Sequence, residues 1–228
     1  MTDTQLTPAT ATLPDFLKVK KPLGNENVDA QDKTIPRIKL LQKLSPELDS
    51  SSPNYIAGAK PGMIINTVTM EAFEELLCVN IFYRREFAVY ADRQAGGGGF
   101  HGAFPTEAEA LAKVKELGGD SATHVIRETG NHALLLLDAD GNATMEAICL
   151  MDGSKLTVSN NWNTAIARIK DVDRFASVWS LGSTTQSNSK GSWSNYTVNF
   201  AGYVDEQLYK VAKALYDSIA NPQAQQAA

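Results

Sequence analysis

Cysteine is scarce in this sequence, and long apolar runs are lacking. The chain has 228 residues and two cysteines, Cys78 and Cys149, which both lie inside apolar segments. Cysteines in apolar segments are typically buried and reduced rather than paired in a disulfide framework. No apolar run reaches the roughly 20 residues that a membrane-spanning helix needs, and the chain begins without the basic and apolar stretches of a secretory signal. We therefore expect an intracellular protein without membrane contact.

Motifs for catalysis and metal binding are also missing. The histidines His101, His124 and His132 are not spaced as metal ligands, and there is no Cys-x-x-Cys pair. The segment GGGFHG at residues 97–102 matches the G-x-G-x-x-G pattern, but polar residues precede it and a helix cap follows it at Thr106. A dinucleotide site needs a buried strand before the motif and a helix that contains the third glycine. We therefore expect a flexible loop there, no enzyme activity, no metal and no cofactor.

The composition is otherwise that of a folded protein, with 43% hydrophobic and 21% charged residues. Residues 1–33 are rich in threonine, proline and polar residues, and predict a flexible arm. Residues 34–220 contain the periodic apolar segments and are expected to form a single domain. Residues 221–228 predict a disordered tail.

The apolar periodicity predicts an α+β fold. Strands are predicted over residues 63–68, 76–83, 123–128, 132–138, 144–151, 175–183 and 193–204, and helices over residues 106–117, 154–170 and 205–220. The segment between Pro36 and Pro46 fits a strand or a short helix equally well. Because the strands cluster into hairpins with helices between them, we expect a largely antiparallel sheet with about three amphipathic helices.

Charge is segregated along the chain. Its 21 basic and 26 acidic residues give a net charge of −5, which argues against a polybasic protein. Residues 33–43 carry four bases and no acid, and residues 153–200 carry five bases and two acids. Residues 104–152 carry nine acids and three bases. This distribution predicts a positive face on an acidic protein.

Aromatic residues are interleaved with the basic segments. A strand through Arg84 and Arg85 puts one arginine on each face, and Arg93 and Phe100 flank the glycine run. Cations neutralise phosphates and exposed rings stack on unpaired bases, so the pattern favours single-stranded nucleic-acid binding. Residues 94–103 and 184–192 are predicted loops that order around the bound strand. In the rival interpretation, the rings belong to the core and the charges to a solvated surface.

Several stretches in a shared order resemble a known group of proteins. They are IPRIKLLQKLSPELD (35–49), PGMIINTVT (61–69), NIFYRREF (80–87) before the glycines, LTVSNNWNTAIARIK (156–170) and KGSW (190–193). Together they are similar to phage-encoded single-stranded DNA-binding proteins, particularly those of N4-related bacterial viruses. The resemblance covers residues 35–209 and implies an α+β fold that is not a standard OB-fold.

This resemblance also implies a function. The expected protein binds single-stranded DNA with little sequence preference, forms a homo-oligomer and acts in viral DNA replication or transcription regulation in the cytoplasm of the infected host. Viral replication or transcription proteins are its expected further partners. The alternative is a phage structural or assembly protein without nucleic-acid binding. The candidate nucleic-acid-binding residues are Arg37, Lys39, Tyr83, Arg84, Arg85, Arg93, Phe100, Trp162, Arg168, Lys170, Lys190 and Trp193. Of these, Arg93 and Phe100 come from the aromatic pattern alone.

Overall fold

The computed structural model describes residues 23–28, 32–92, 99–189 and 191–221. The chain divides into two units, residues 1–34 and residues 35–228, and the described strands and helices belong to the second unit. The helices are α1 (Glu107–Glu116), α2 (Lys155–Ala167) and α3 (Glu206–Ala220). The strands are β1 (Arg37–Leu40), β2 (Ile64–Asn66), β3 (Ala72–Phe73), β4 (Leu76–Ala91), β5 (Gly99–Phe104), β6 (His124–Leu137), β7 (Ala143–Asp152), β8 (Ser177–Asn188) and β9 (Gly191–Tyr203).

These strands form one curled, mixed sheet. Its order is β3-β2-β1-β7-β6-β4-β8-β9, and β5 pairs with the distal half of β4. All neighbouring strands are antiparallel except β1 and β7, which run parallel. The sheet curls far enough for the Tyr196 hydroxyl on β9 to donate to the Ile38 carbonyl on β1, at 3.2 Å. The predicted α+β fold with three helices and a mostly antiparallel sheet is confirmed.

The two faces of the sheet are covered by different helices. Successive residues of a strand point to opposite faces, so the LLLL run of β6 contributes to both. Leu134 and Leu136 pack with Trp162 of α2 on the face that we call the inner face. Leu135 and Leu137 pack with α3 on the outer face. Helix α1 packs on the distal end of β4.

Helix α1 begins and ends where the sequence predicts. The Thr106 hydroxyl accepts from the Glu109 backbone N–H at 3.2 Å, and the Glu109 carboxylate accepts from the Thr106 N–H at 3.1 Å. This reciprocal pair satisfies two backbone donors that a helix N-terminus leaves without intrahelical partners. Gly118, at φ 69°, follows the helix in a conformation that favours glycine. Among the described helices none is long and apolar enough to cross a membrane.

Several predicted boundaries are wrong. Residues 123–128 and 132–138 form one strand, β6, because the polar residues between them pair with β4, where Asn131 donates to the Glu86 carboxylate at 3.1 Å. Residues 99–103 and most of 184–192 are strands rather than loops, and α2 ends at Ala167. For the segment between Pro36 and Pro46, where a strand and a short helix are equally expected, the structure has a strand at residues 37–40, and a short 3-10 turn follows at Pro46–Leu48. Residues 1–22 and 29–31 of the predicted arm, 94–98 of the predicted glycine loop and 222–228 of the predicted tail lie outside the described residues.

Candidate nucleic-acid interface

Part of the outer face of the sheet is open. Beside α3, a hollow of about 210 Å³ lies between Phe82, Arg84 and Leu215. A second hollow of about 250 Å³ lies further along β4, and Asn131 and Ile148 line both. Six arginine, asparagine and aromatic side chains that line this surface, which we call the sheet groove, come from four strands. They are Arg37, Arg84, Tyr90, Phe100, Arg127 and Asn131. The carboxylates of Glu146 and Glu86 line the same two hollows.

An aromatic pair stands at one end of the sheet groove. The ring centroids of Tyr90 and Phe100 are 5.5 Å apart, and Phe100 is 61% exposed. Strand pairing places these two residues opposite each other after a register shift that leaves His101 as the extra residue of β5. Gly102, at φ 124°, lies directly beside this shift, in a backbone conformation that L side chains rarely adopt. The glycine-rich segment therefore builds the irregular strand that positions Phe100.

Three arginines accompany the aromatic pair. The Arg127 guanidinium lies 5.6 Å from the centroid of the Tyr90 ring, and the Arg127 side chain is 60% exposed. The Arg84 guanidinium lies 5.2 Å from the centroid of the Phe82 ring, and Arg37 is exposed on β1. These cations are interleaved with acids, since Asp152 lies 3.7 Å from Arg127. The groove therefore offers guanidinium groups, the exposed ring of Phe100 and the half-buried ring of Tyr90, but no dense positive patch.

Other candidate residues lie on the inner face. Tyr83 packs against His132 with ring centroids 4.9 Å apart, and Arg85 forms an ion pair with Glu128 at 2.5 Å. Trp162 is 1% exposed and stacks on His132 at 4.8 Å. Because its ring faces are covered by protein, no base can stack on Trp162. The structure therefore corrects its assignment to the binding surface and places it in the core.

The remaining candidates are dispersed. Lys39 forms an ion pair at 2.6 Å with Glu47. Arg168 and Lys170 are exposed after α2, where Arg168 borders a separate groove between α2 and β9. Trp193 is half-buried near the start of β9. Arg93 and Lys190 lie outside the described residues. The structure thus brings Arg37, Arg84 and Phe100 to one surface, and it adds Tyr90, Arg127 and Asn131.

Two of these additions had weak sequence signals. Tyr90 belongs to the basic and aromatic segment before the glycine run, but its pairing with Phe100 depends on the register shift. Arg127 lies in an acidic part of the chain, so the charge count by segment directs attention away from it.

A buried hydrogen-bond network connects α2 to the sheet. The Arg174 Nε donates to Asn80 Oδ1 at 2.9 Å, so the Asn80 amide NH₂ faces His132 Nδ1, also at 2.9 Å. His132 Nε2 must then carry the proton and donate to the Ser159 Oγ at 2.8 Å. Burial, together with the positive charge of Arg174, lowers the pKa of His132 to about 3.

This network resembles a serine–histidine pair in its distances but not in its protonation. A histidine that activates a serine must accept the hydroxyl proton at the nitrogen facing it. In this protein that nitrogen already donates, and Ser159 is fully buried. We therefore interpret the network as a structural connection. Among the described residues, no group of three or more His, Cys, Asp or Glu side chains is placed to hold a metal ion.

Comparison with known protein families identifies the family of this chain. No curated protein and no solved structure matches the chain. The Pam3 phage gp34-like protein family matches residues 5–225, nearly the whole of the 228-residue chain. A match of this extent identifies a bacteriophage protein, whereas the similarity to N4-related DNA-binding proteins stays a prediction. The chain belongs to the Pam3 phage gp34-like protein family.

Proposed function

We propose that this phage protein binds single-stranded DNA through the sheet groove, with little sequence preference, in viral replication or transcription in the host cytoplasm. The observation that carries the proposal is the Tyr90–Phe100 pair on an open sheet face, with Arg127 beside it. Unpaired bases present flat faces to such rings, and stacking contributes roughly 1–3 kcal/mol per base. DNA is chosen over RNA on the sequence resemblance.

The arginines complement the rings. A guanidinium group offers five N–H donors in a fixed plane and binds phosphate oxygens through two of them. Arg84 and Tyr90 are six residues apart on β4, which corresponds to about 20 Å at the rise of a strand. A flexible single strand can follow this length with phosphates at the arginines and bases at the rings. In a duplex the base faces are stacked on one another, so they do not reach the rings.

Fluorescence anisotropy tests the proposal with labelled single-stranded and double-stranded oligonucleotides at two salt concentrations. Wild-type protein is expected to bind single strands saturably and more tightly than duplex. Phe100→Ala and Tyr90→Ala are each expected to weaken binding by roughly 1–3 kcal/mol, which is about 5- to 150-fold. The control is Tyr55→Ala, which removes an exposed ring (45%) outside the groove. It is expected to bind like wild type.

Neighbouring arginines provide a second matched pair of variants. Arg84 lies in the sheet groove, whereas Arg85 is paired with Glu128 on the inner face. Arg84→Ala is therefore expected to reduce the slope of log K against log salt concentration by about 0.7. Arg85→Ala is expected to leave this slope unchanged. Wild-type affinity in all three groove variants would overturn the proposal. Absence of binding by the wild type would favour a structural or assembly role.

A further inference from the structure

The two ends of the sheet are built differently. At one end, β3 has two residues and is flanked by the exposed acids Glu71 and Glu74. At the other end, β9 has 13 residues with no charge and no proline, and no described strand pairs with its outer edge. Short strands and charged side chains are the usual devices that stop a sheet edge from pairing with another chain. This protein uses both devices at β3 and neither at β9.

The chain itself covers the first part of the β9 edge. Gln42 donates to the Ser194 carbonyl at 3.0 Å and accepts from the Ser194 N–H at 2.9 Å, as a neighbouring strand would. The Asn195 side-chain oxygen accepts from the Tyr196 N–H at 2.9 Å. Beyond Tyr196, no described side chain hydrogen-bonds to the backbone of residues 197–203. Among the described residues, the longest uncovered stretch of the edge is therefore this segment.

Exposed aromatic rings belong to the same segment. Phe200 is 49% and Tyr203 is 64% exposed, with ring centroids 5.2 Å apart. They border the groove of about 690 Å³ between α2 and β9, where Phe200 also makes a T-shaped contact with Trp179 at 5.6 Å between centroids. Aromatic residues are enriched in protein–protein interfaces, and charged residues are depleted at interface centres. Arg168 is the charged residue that borders this groove. The open backbone and these rings thus form one surface.

We propose that residues 197–203 of β9 pair with the same segment of a second copy of this chain, antiparallel and about a twofold axis. A twofold interface uses one patch on both subunits, and this segment supplies both the free backbone groups and the aromatic side chains that such a patch requires. Because the segment itself is uncharged, its own cross-strand pairs contain no like charges. An axis near Phe200 places the two Phe200 rings in cross-strand positions, where aromatic pairs stabilise antiparallel strands.

Sedimentation velocity on the full chain without DNA tests this interface independently of the proposed DNA binding. Wild-type protein is expected to sediment as a dimer. Asn199→Lys is expected to sediment as a monomer, because a lysine on each strand introduces charge repulsion at the pairing edge. The matched control is Thr184→Lys, which makes the same change in charge at an exposed position on β8 of the same hairpin. It is expected to remain dimeric.

A second variant and a second measurement protect the test from misfolding of Asn199→Lys. Phe200→Ser is expected to shift the equilibrium towards monomer, and amide hydrogen exchange in residues 197–203 of the wild type is expected to slow as protein concentration rises. A wild-type monomer at the highest soluble concentration would overturn the proposal. So would a dimer that both substitutions leave intact, since another surface would then hold it together.

Discussion

Mild acid should destabilise this protein through His132 before most carboxylates are protonated. The imidazole is fully buried and lies between the rings of Tyr83 and Trp162. The Asn80 amide and the Ser159 hydroxyl occupy its two nitrogens, and the nearby Arg174 charge opposes a second positive charge. These surroundings favour the neutral ring and explain why the pKa of His132 is lowered to about 3.

The magnitude follows from the difference between folded and unfolded protein. In the unfolded chain the histidine pKa is about 6.5, so above that pH the ring is neutral in both states and contributes nothing to the pH dependence. As the pH falls below about 6.5, the unfolded chain binds a proton that the folded protein binds only near pH 3. Stability then decreases by about 1.4 kcal/mol per pH unit, or about 2 kcal/mol at about pH 5.

Urea unfolding followed by tryptophan fluorescence measures this effect between about pH 7.5 and pH 5, above the range where most carboxylates titrate. Wild-type protein is expected to lose about 2 kcal/mol over that interval. His132→Gln keeps hydrogen-bonding capacity without a titrating ring, so its stability at neutral pH is lower but its pH dependence is expected to be flatter by the same amount. Equal slopes for the two proteins would refute the reasoning.

Three substitutions test the packing in the same unfolding assay. Thr106→Ala removes the hydroxyl that pairs with Glu109 and is expected to cost about 1 kcal/mol; no loss would contradict the role of the cap. Gly130→Ala places a Cβ against the Ser159 hydroxyl and is expected to cost about 1–3 kcal/mol. Ser159→Gly removes that clash but also the acceptor of the His132 Nε2–H, so the double variant is expected to lose less than the sum of the two single losses. Trp162→Ala is expected to cost about 3–5 kcal/mol, while the folded protein keeps its DNA affinity in the anisotropy assay. A selective loss of affinity would return Trp162 to the binding surface.

The sequence correctly predicts those helices and strands whose apolar periodicity agrees with the capping and turn residues at their ends. Helix α1 has a capping box at Thr106 and glycine at Gly118, and its predicted range of 106–117 differs by one residue at each end from the structure. The prediction fails where a local rule competes with tertiary contacts. Glycines at residues 97–102 suggest a loop, but Gly102 is needed inside a strand because the register shift there requires a backbone conformation that other residues avoid.

The candidate site was harder to predict because it depends on strand pairing. The prediction that Arg84 and Arg85 lie on opposite faces is confirmed, since alternation holds locally along a strand. The register shift between Asn80 and Phe82 decides which of the two arginines points into the groove, because an extra residue reverses the alternation of side chains that follows it. The meeting of Arg37 and Phe100 likewise requires the order of five strands, which no single segment encodes.

The charges of the sheet groove limit what kind of binding it can support. Three arginines that each contact one phosphate produce a salt slope of at most about 2, at about 0.7 per contact for single strands. Asp152 lies 3.7 Å from one of them, Arg127, and reduces its attraction for phosphate. Binding at this groove must therefore depend chiefly on stacking against Tyr90 and Phe100, and it should persist at salt concentrations that release a polybasic protein. A measured slope much steeper than 2 would place the DNA on basic residues outside the groove, of which Arg168 is an exposed example.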